Sequence, residues 1–378
     1  MKPVVILGAT GTTGRHIARF LNAENIPLRL AARNQENLES FAQELGGDID
    51  LRTLDIENRR SIESAIDESA MVANCVGPFT LYGEQVIKTC LEKGIDYLDI
   101  TGEQHFIKHV IDSYRELSLE KSVFLVPSAA FEFCFGETAI RILAEEFEHL
   151  EEVEITYSFK NIATSRGTNN SVIAAMTSPS YHRVKNDESR IQPGKGVSRY
   201  SCAFPDVRAR FPFPGGEVFL APLHTQVQTI RTFLGSQNPS LITGGVSFMA
   251  MKLFNGRKMD TPLLKMLKSL IERSNQAIEE SKQGKTAFLI CAEARGKRAG
   301  EKEVTTKRLE IKGMNPYRLT AAIVCLVIKE TISRDHSQNS SGGVISASMA
   351  CGHEKIVELS QKYGVRWSGP DAKSRQGV

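Results

Sequence analysis

The chain is poor in the features that mark several protein classes. One tryptophan, 7% aromatic residues and a net charge of only +3 over 378 residues leave no basic arm and no interleaved aromatic platform. Nucleic acid is therefore not an expected partner. The seven cysteines (Cys75, Cys90, Cys134, Cys202, Cys291, Cys325, Cys351) include no Cys-x-x-Cys pair. An odd, unpatterned set argues against a disulfide frame and against a zinc site, and for reduced thiols in a cytoplasmic setting. No metal ligand set is expected: His105 and His109 have the i,i+4 spacing of one, but Phe106, Ile107, Val110 and Ile111 mark the core side of that helix and leave the histidines on a solvated flank. The apolar stretch 241–254 is too short to cross a bilayer and reads as a buried element or as a cover for an apolar pocket. The amino terminus enters an apolar run at once, so no secretory or transit segment is expected.

What is present is a dinucleotide-binding signature. Residues 4–14 run Val-Val-Ile-Leu-Gly-Ala-Thr-Gly-Thr-Thr-Gly, a buried strand feeding a glycine-spaced turn and an amphipathic helix. Gly8 permits the tight turn, Gly11 lets backbone approach phosphate, and Gly14 lets the helix close onto the strand. Thr10, Thr12 and Thr13 sit between them, where free N–H groups of a helix start face an anion. Further apolar runs follow at Leu28–Ala32, Ile49–Leu54, Met71–Val76, Tyr97–Ile100 and Ser122–Val126, separated by helical patterns. Six short strands joined by helices predict an α/β fold, a Rossmann-type doubly wound parallel sheet over residues 1–130. Beyond 150 the rhythm changes: Val153–Phe159 alternates apolar and polar, and strand-like pieces recur at 198–222 and 286–294. Helical patterns cover 168–177, 261–281 and 318–332. A second, α+β domain with a mixed or antiparallel sheet is expected over 131–340, serving substrate and a possible homodimer contact, with 340–378 a candidate to return to the first domain. The polar tract 178–196 reads as a loop excursion and a candidate lid.

In doubly wound sheets ligands bind at the carboxyl ends of the strands, and there the functional candidates gather. The second strand ends in Arg33 and Asn34 rather than in an acid, which favours a 2′-phosphate, hence NADP(H), because guanidinium offers forked donors. Asp55 is a candidate for the adenine amino group or for a helix N-cap. Asn74, Val76, Gly77 and Pro78 form a compact turn where the nicotinamide half belongs, walled by Phe79. Tyr82, Thr101 and Glu103 are the catalytic candidates. Phe131 and Glu132 open an apolar stretch suited to the floor of a substrate pocket. Tyr181 and Lys185 match a Tyr-x-x-x-Lys spacing, but in a loop-like stretch beyond the parallel sheet, where chance accounts for it.

These strings resemble the saccharopine dehydrogenase-like oxidoreductases, including the trans-acting enoyl reductases. The resemblance rests on Gly8 to Gly14, Asn74 to Gly83 and Tyr97 to Glu103, with further similarity at Ser165 to Thr168 with Ser171, Asn315 to Ala321 and Gly342 to Ser346. It implies an NADP-linked oxidoreductase with a small-molecule substrate. The aromatics at 131–135 and the apolar 241–254 lean towards an enoyl, lipid-like or acyl-linked substrate. A saccharopine-type imine reductase is the alternative, with Arg166 or Arg183 gripping a carboxylate, and a non-catalytic NADP(H)-binding regulator is a further one. The stretch Ala130 to Glu137 departs from the family pattern by lacking its proline and gaining bulky aromatics.

Overall fold

The structure is a computed structural model and describes residues 2–161, 178–191, 198–200, 207–236, 284–334 and 342–369. The chain divides into two compact units, the first made of residues 1–101, 106–131 and 317–352, the second of 102–105, 132–316 and 353–378.

In the first unit the predicted alternation forms β1 (Val4–Leu7), α1 (Thr12–Ala23), β2 (Leu28–Ala32), α2 (Gln35–Leu45), β3 (Asp50–Thr53), α3 (Arg59–Ile66), β4 (Met71–Asn74), α4 (Phe79–Lys93), β5 (Asp96–Asp99), α5 (Gln104–Glu120) and β6 (Phe124–Val126). The sheet runs β3-β2-β1-β4-β5-β6, with a short strand Gly343–Val344 added beside β6, and every pairing is parallel. The chain winds outward from β1 to β3 and restarts at β4, so the switch point lies between β1 and β4, where a crevice opens at the strands' carboxyl ends. Both faces of the sheet are covered, which is why β1 and β4 are buried along their whole length. Burying each Val, Ile or Leu contributes about 1.5–3 kcal/mol. Arg29 is the charged exception in β2. Its guanidinium donates to Asp50 (2.5 Å), to the Ala65 carbonyl (3.1 Å) and to the Asp67 carbonyl (2.5 Å), so the charge is paired and cross-links β2, β3 and the end of α3.

The second unit is a mixed sheet. Its order is Ser198–Arg199, Ala209–Pro212, Thr229–Ser236, β7 (His149–Lys160), Ala287–Lys297, Val304–Met314, Arg366–Ser368. Among the described residues only Thr229–Ser236 and β7 pair in parallel here. The helix α6 (Phe131–Ala144) lays Phe133 and Phe135 on the sheet, 6.4 Å from the Tyr157 ring and 6.1 Å from Phe288.

Several local expectations are corrected. Residues 217–222, part of the strand-like 198–222, form a helix Glu217–Leu220 running into a 3-10 turn Ala221–Leu223, because the preceding strand ends at Pro212 and Pro214 lacks the N–H that would continue its ladder. The loop excursion contains a hairpin: Tyr181–Val184 pairs with Asp187–Arg190 through Lys185 and Asn186, both at positive φ, the turn whose twist suits two adjoining strands. Four further strands escaped the sequence reading: Thr229–Ser236, Val304–Met314, Gly343–Val344 and Arg366–Ser368. Gly343–Val344 is too short to carry a pattern, and Val304–Met314 has one polar side and only Leu309 and Ile311 deeply buried. The stretch 241–254 and the helical patterns at 168–177 and 261–281 lie outside the described residues.

Candidate functional site

The crevice at the switch point is built from the glycine turn upward. Gly8 leaves β1 at φ +77°, and a Cβ there would meet Val76 Cγ2 at 3.0 Å. A Cβ on Gly14 would lie 2.4 Å from the Gly8 carbonyl oxygen, so α1 approaches the turn as closely as backbone allows. The first turn of α1 carries no acidic residue, and its N-cap, Gly11, offers no side-chain acceptor. Positive N–H groups are therefore left facing outward beside Thr10, Thr12 and Thr13, at the end of the helix whose dipole favours an anion. A glycine cradle that side chains would fill and an uncapped helix start fit the pyrophosphate of a dinucleotide.

Arg33 is exposed at the end of β2, and no ion pair or hydrogen bond to another described residue engages it. The side chain of its neighbour Asn34 accepts the Asn37 N–H at 2.7 Å and caps α2. Asp55 is exposed, and one of its oxygens accepts the Glu57 N–H at 3.1 Å. On the other side of the crevice the Cys75 N–H donates to the Leu7 carbonyl at 2.9 Å, holding the Val76-Gly77-Pro78 turn against β1.

The ends of β4, β5 and β6 share one buried polar network that the sequence did not reveal. Asp99 Oδ1 accepts the N–H groups of Thr101 (2.9 Å) and Ser128 (2.8 Å), and Oδ2 accepts the Tyr97 hydroxyl (2.9 Å). Asn74 donates from Nδ2 to the Tyr97 oxygen (3.3 Å) and accepts the Val76 N–H on Oδ1 (3.0 Å). Asn74, Tyr97, Asp99 and Thr101 are all fully buried. Burial and the neighbouring Asp99 push the Tyr97 phenol well above its ordinary value, so it stays protonated and donates.

Of the catalytic candidates, Tyr82 is half-buried at the start of α4 and packs on the first unit's core, while Thr101 is buried with its carbonyl accepting the Ser128 hydroxyl at 2.7 Å. Glu103 is buried in the short 102–105 piece of the second unit. Phe79 packs within the first unit's core, its ring 6.2 Å from Phe106. Phe131 is buried, and its N–H donates to Thr320 Oγ1 at 3.2 Å. Arg166 lies outside the described residues. Of the discounted histidines, His105 reaches Ser178 Oγ at 3.1 Å, whereas His109 reaches Glu84 at 3.4 Å. Tyr181 is held through its backbone by Gln104, while Lys185 lies in the hairpin turn.

Within the second unit, three acids converge. Glu217 is fully buried, and neither carboxyl oxygen has a hydrogen-bond partner among the described residues. Its oxygens occupy the space where Gly136 and Gly215 would carry side chains. Glu137, also buried, faces His224 Nε2 at 3.4 Å. Burial, with Glu137 and Glu132 nearby, pushes the Glu217 carboxyl well above the ordinary range, and burial pushes Glu132 up to about 7. Gly136 and Gly215 lie far apart in sequence, so no local pattern marks this cluster.

Comparison with known proteins bears on the first unit. Residues 4–123 match the family model of the saccharopine dehydrogenase NADP binding domain. The chain is 33% identical over 146 residues to a saccharopine dehydrogenase-like oxidoreductase of Mus musculus, covering 34% of each chain. It is 29% identical over 136 residues to a trans-acting enoyl reductase of Mycobacterium ulcerans (strain Agy99), covering 34% of this chain and 32% of that one. The matched stretch thus spans about a third of the length of these curated relatives. The solved saccharopine dehydrogenase (L-Glu forming) of Saccharomyces cerevisiae shares the fold at TM-score 0.67, over 98% of this chain and 100% of that one, at 12% identity. Among the described residues no helix is long and apolar enough to cross a membrane.

Proposed function

From a chain that carries a saccharopine dehydrogenase NADP-binding domain, we propose an NADPH-dependent reductase acting on an enoyl or related lipid-like, acyl-linked small molecule. The observation that carries the cofactor half is the glycine cradle at Gly8 and Gly14 beside an uncapped helix start, with Arg33 unengaged at the end of β2. The enoyl half is supported by the similarity to a relative named for that activity. The coenzyme supplies hydride, and the protein orients it and stabilises charge on the acceptor.

In this reading Arg33 binds the 2′-phosphate, the N–H groups of Thr12 to Gly14 bind the pyrophosphate, and the turn Val76 to Pro78 bounds the nicotinamide side. Tyr82, half-buried in the first turns of α4 just after β4, is the first candidate to hold the proton that follows hydride, with Thr101 and Glu103 as further candidates. Phe131, Glu132 and Arg166 are assigned to the substrate. A reducing, cytoplasmic setting belongs to the same proposal and is supported by the odd, unpatterned set of seven cysteines. A homodimer is the assembly we assign to it.

The test is absorbance loss of NADPH with purified protein in the presence of 2-enoyl thioesters, and separately of a 2-oxo acid with an amine. Turnover of the thioesters alone is expected. Turnover only with the oxo acid and amine would replace the enoyl reading by imine reduction, and tight NADPH binding without turnover of either would leave a binding protein.

A further inference from the structure

The polar network beneath the strand ends connects the end of β5 to Val76, beside the glycine turn, through a continuous series of hydrogen bonds. Asp99 lies opposite Asn74 in the β4–β5 register. Its Oδ2 accepts the Tyr97 hydroxyl, whose oxygen accepts Asn74 Nδ2, whose Oδ1 in turn accepts the Val76 N–H. Val76 Cγ2 then sits 3.0 Å from where a Cβ on Gly8 would be. Tyr97 is the middle member: its ring is packed in the first unit's apolar core, and its hydroxyl reaches from β5 to Asn74 on β4.

A buried tyrosine in an apolar core is commonly satisfied by a single acceptor. Here the hydroxyl both donates and accepts, and the group it donates to is anchored by two backbone N–H groups on separate loops, Thr101 and Ser128. Such a network favours one arrangement, because a shift of the 75–78 turn breaks the bond from the half-buried Val76 N–H and leaves the buried Asn74 oxygen without it.

We infer that Tyr97 is a positioning residue for the cofactor, holding the Val76-Gly77-Pro78 turn at the height that the nicotinamide half requires, through Asn74 and without touching the ligand. Asn74, read from sequence as a cofactor contact, becomes the intermediary: both ends of its amide are used inside the protein. This inference rests on the NADP(H) reading above and adds the device that fixes one wall of that site.

The experiment compares two ligands of the full chain by calorimetry, NADPH and adenosine 2′,5′-bisphosphate, the second carrying only the adenine half. Tyr97→Phe keeps the core ring and removes the hydroxyl. NADPH is expected to bind about tenfold more weakly, the worth of roughly one hydrogen bond, while the bisphosphate changes less than about twofold. A variant that melts lower but keeps both affinities would show a purely structural tyrosine, and equal weakening of both ligands would show general loosening. Either result overturns the inference. Asn74→Ala breaks the same link without disturbing the ring and must give the same split, which covers the case in which Tyr97→Phe does not fold. Failure of the unaltered protein to bind either ligand would remove the cofactor reading itself.

Discussion

Asp99 and Glu217 are both carboxyls taken wholly out of water, one at the strand ends of the first unit and one against the sheet of the second. Asp99 receives three donors, two of them backbone N–H groups. Glu217 receives none from the described residues and has Glu137 and Glu132 for neighbours. An anion with three donors is a structural pin, because its charge is spread into hydrogen bonds that also fix the loops bearing them. An acid that no other described residue donates to, with acidic neighbours, keeps its proton and becomes a titrating group. The same residue class in the same degree of burial therefore does opposite work, and the number of donors decides which.

The largest test of that contrast is Asp99→Ala. Each stranded buried donor costs about 1–3 kcal/mol, and Asp99 holds the Tyr97 hydroxyl and the N–H groups of Thr101 and Ser128. Chemical unfolding should show a loss on the order of 4 kcal/mol. A loss under about 1 kcal/mol would mean that water reaches these donors and that the network is not a pin.

Arg33 supplies the next case, a charge without a partner among the described residues but in water, where the lack costs little. Its value should emerge only when phosphate arrives. Arg33→Ala is expected to leave melting unchanged and to weaken NADPH by roughly 10- to 150-fold, the worth of a charge-assisted bond of about 1.5–3 kcal/mol, with NADH affinity unaffected. Equal losses for NADPH and NADH in titration would detach Arg33 from the 2′-phosphate.

How much of this was visible in the sequence follows from how local each feature is. The strands β1 to β6 announce themselves as apolar runs because a parallel sheet is covered on both faces, and the glycine turn is contiguous. The exposed place of Arg33 after β2, with no acid there, was legible too. The bonds of Asn74 were not, since they depend on Tyr97, a residue that reads as core. Glu217 was invisible altogether: its helix is four residues long, and its surroundings come from Gly136, Gly215 and Tyr157, brought together only by the second sheet. Val304–Met314 was missed for a related reason, because a strand with one polar face and few deeply buried residues looks like solvated loop.

Glu217→Gln tests the other half of the contrast through pH. A carboxyl whose folded value is raised binds its proton more tightly folded than unfolded. Its favourable contribution is then complete below the ordinary carboxylate range, near 4.5, and is lost as pH rises through the folded value. The unaltered protein should lose stability relative to Glu217→Gln by on the order of 1 kcal/mol per pH unit in that window. Glu132, pushed up to about 7, adds a similar slope between 4.5 and 7 that Glu132→Gln would remove. Melting curves of the unaltered protein and Glu217→Gln that run parallel from about pH 5 to 8 would mean that Glu217 finds donors when ionised.

Glu84 completes the set as a carboxylate with partners but with access to water. It accepts the Tyr114 hydroxyl at 2.7 Å and lies 3.0 Å from Lys88 Nζ, and these hold its carboxyl down to about 2, yet its side chain is 43% exposed. If partner number alone set the energy, Glu84→Gln would approach Asp99→Ala in cost. Solvent screening argues otherwise: exposed pairs are worth about 0.2–1 kcal/mol, so a loss of roughly 0.5 kcal/mol is expected at neutral pH. Because the carboxyl is depressed, that small contribution is present above 4.5 and fades as pH falls towards 2, the reverse of Glu217. A loss of several kcal/mol at neutral pH would show that donors, and not burial, dominate the balance in this protein.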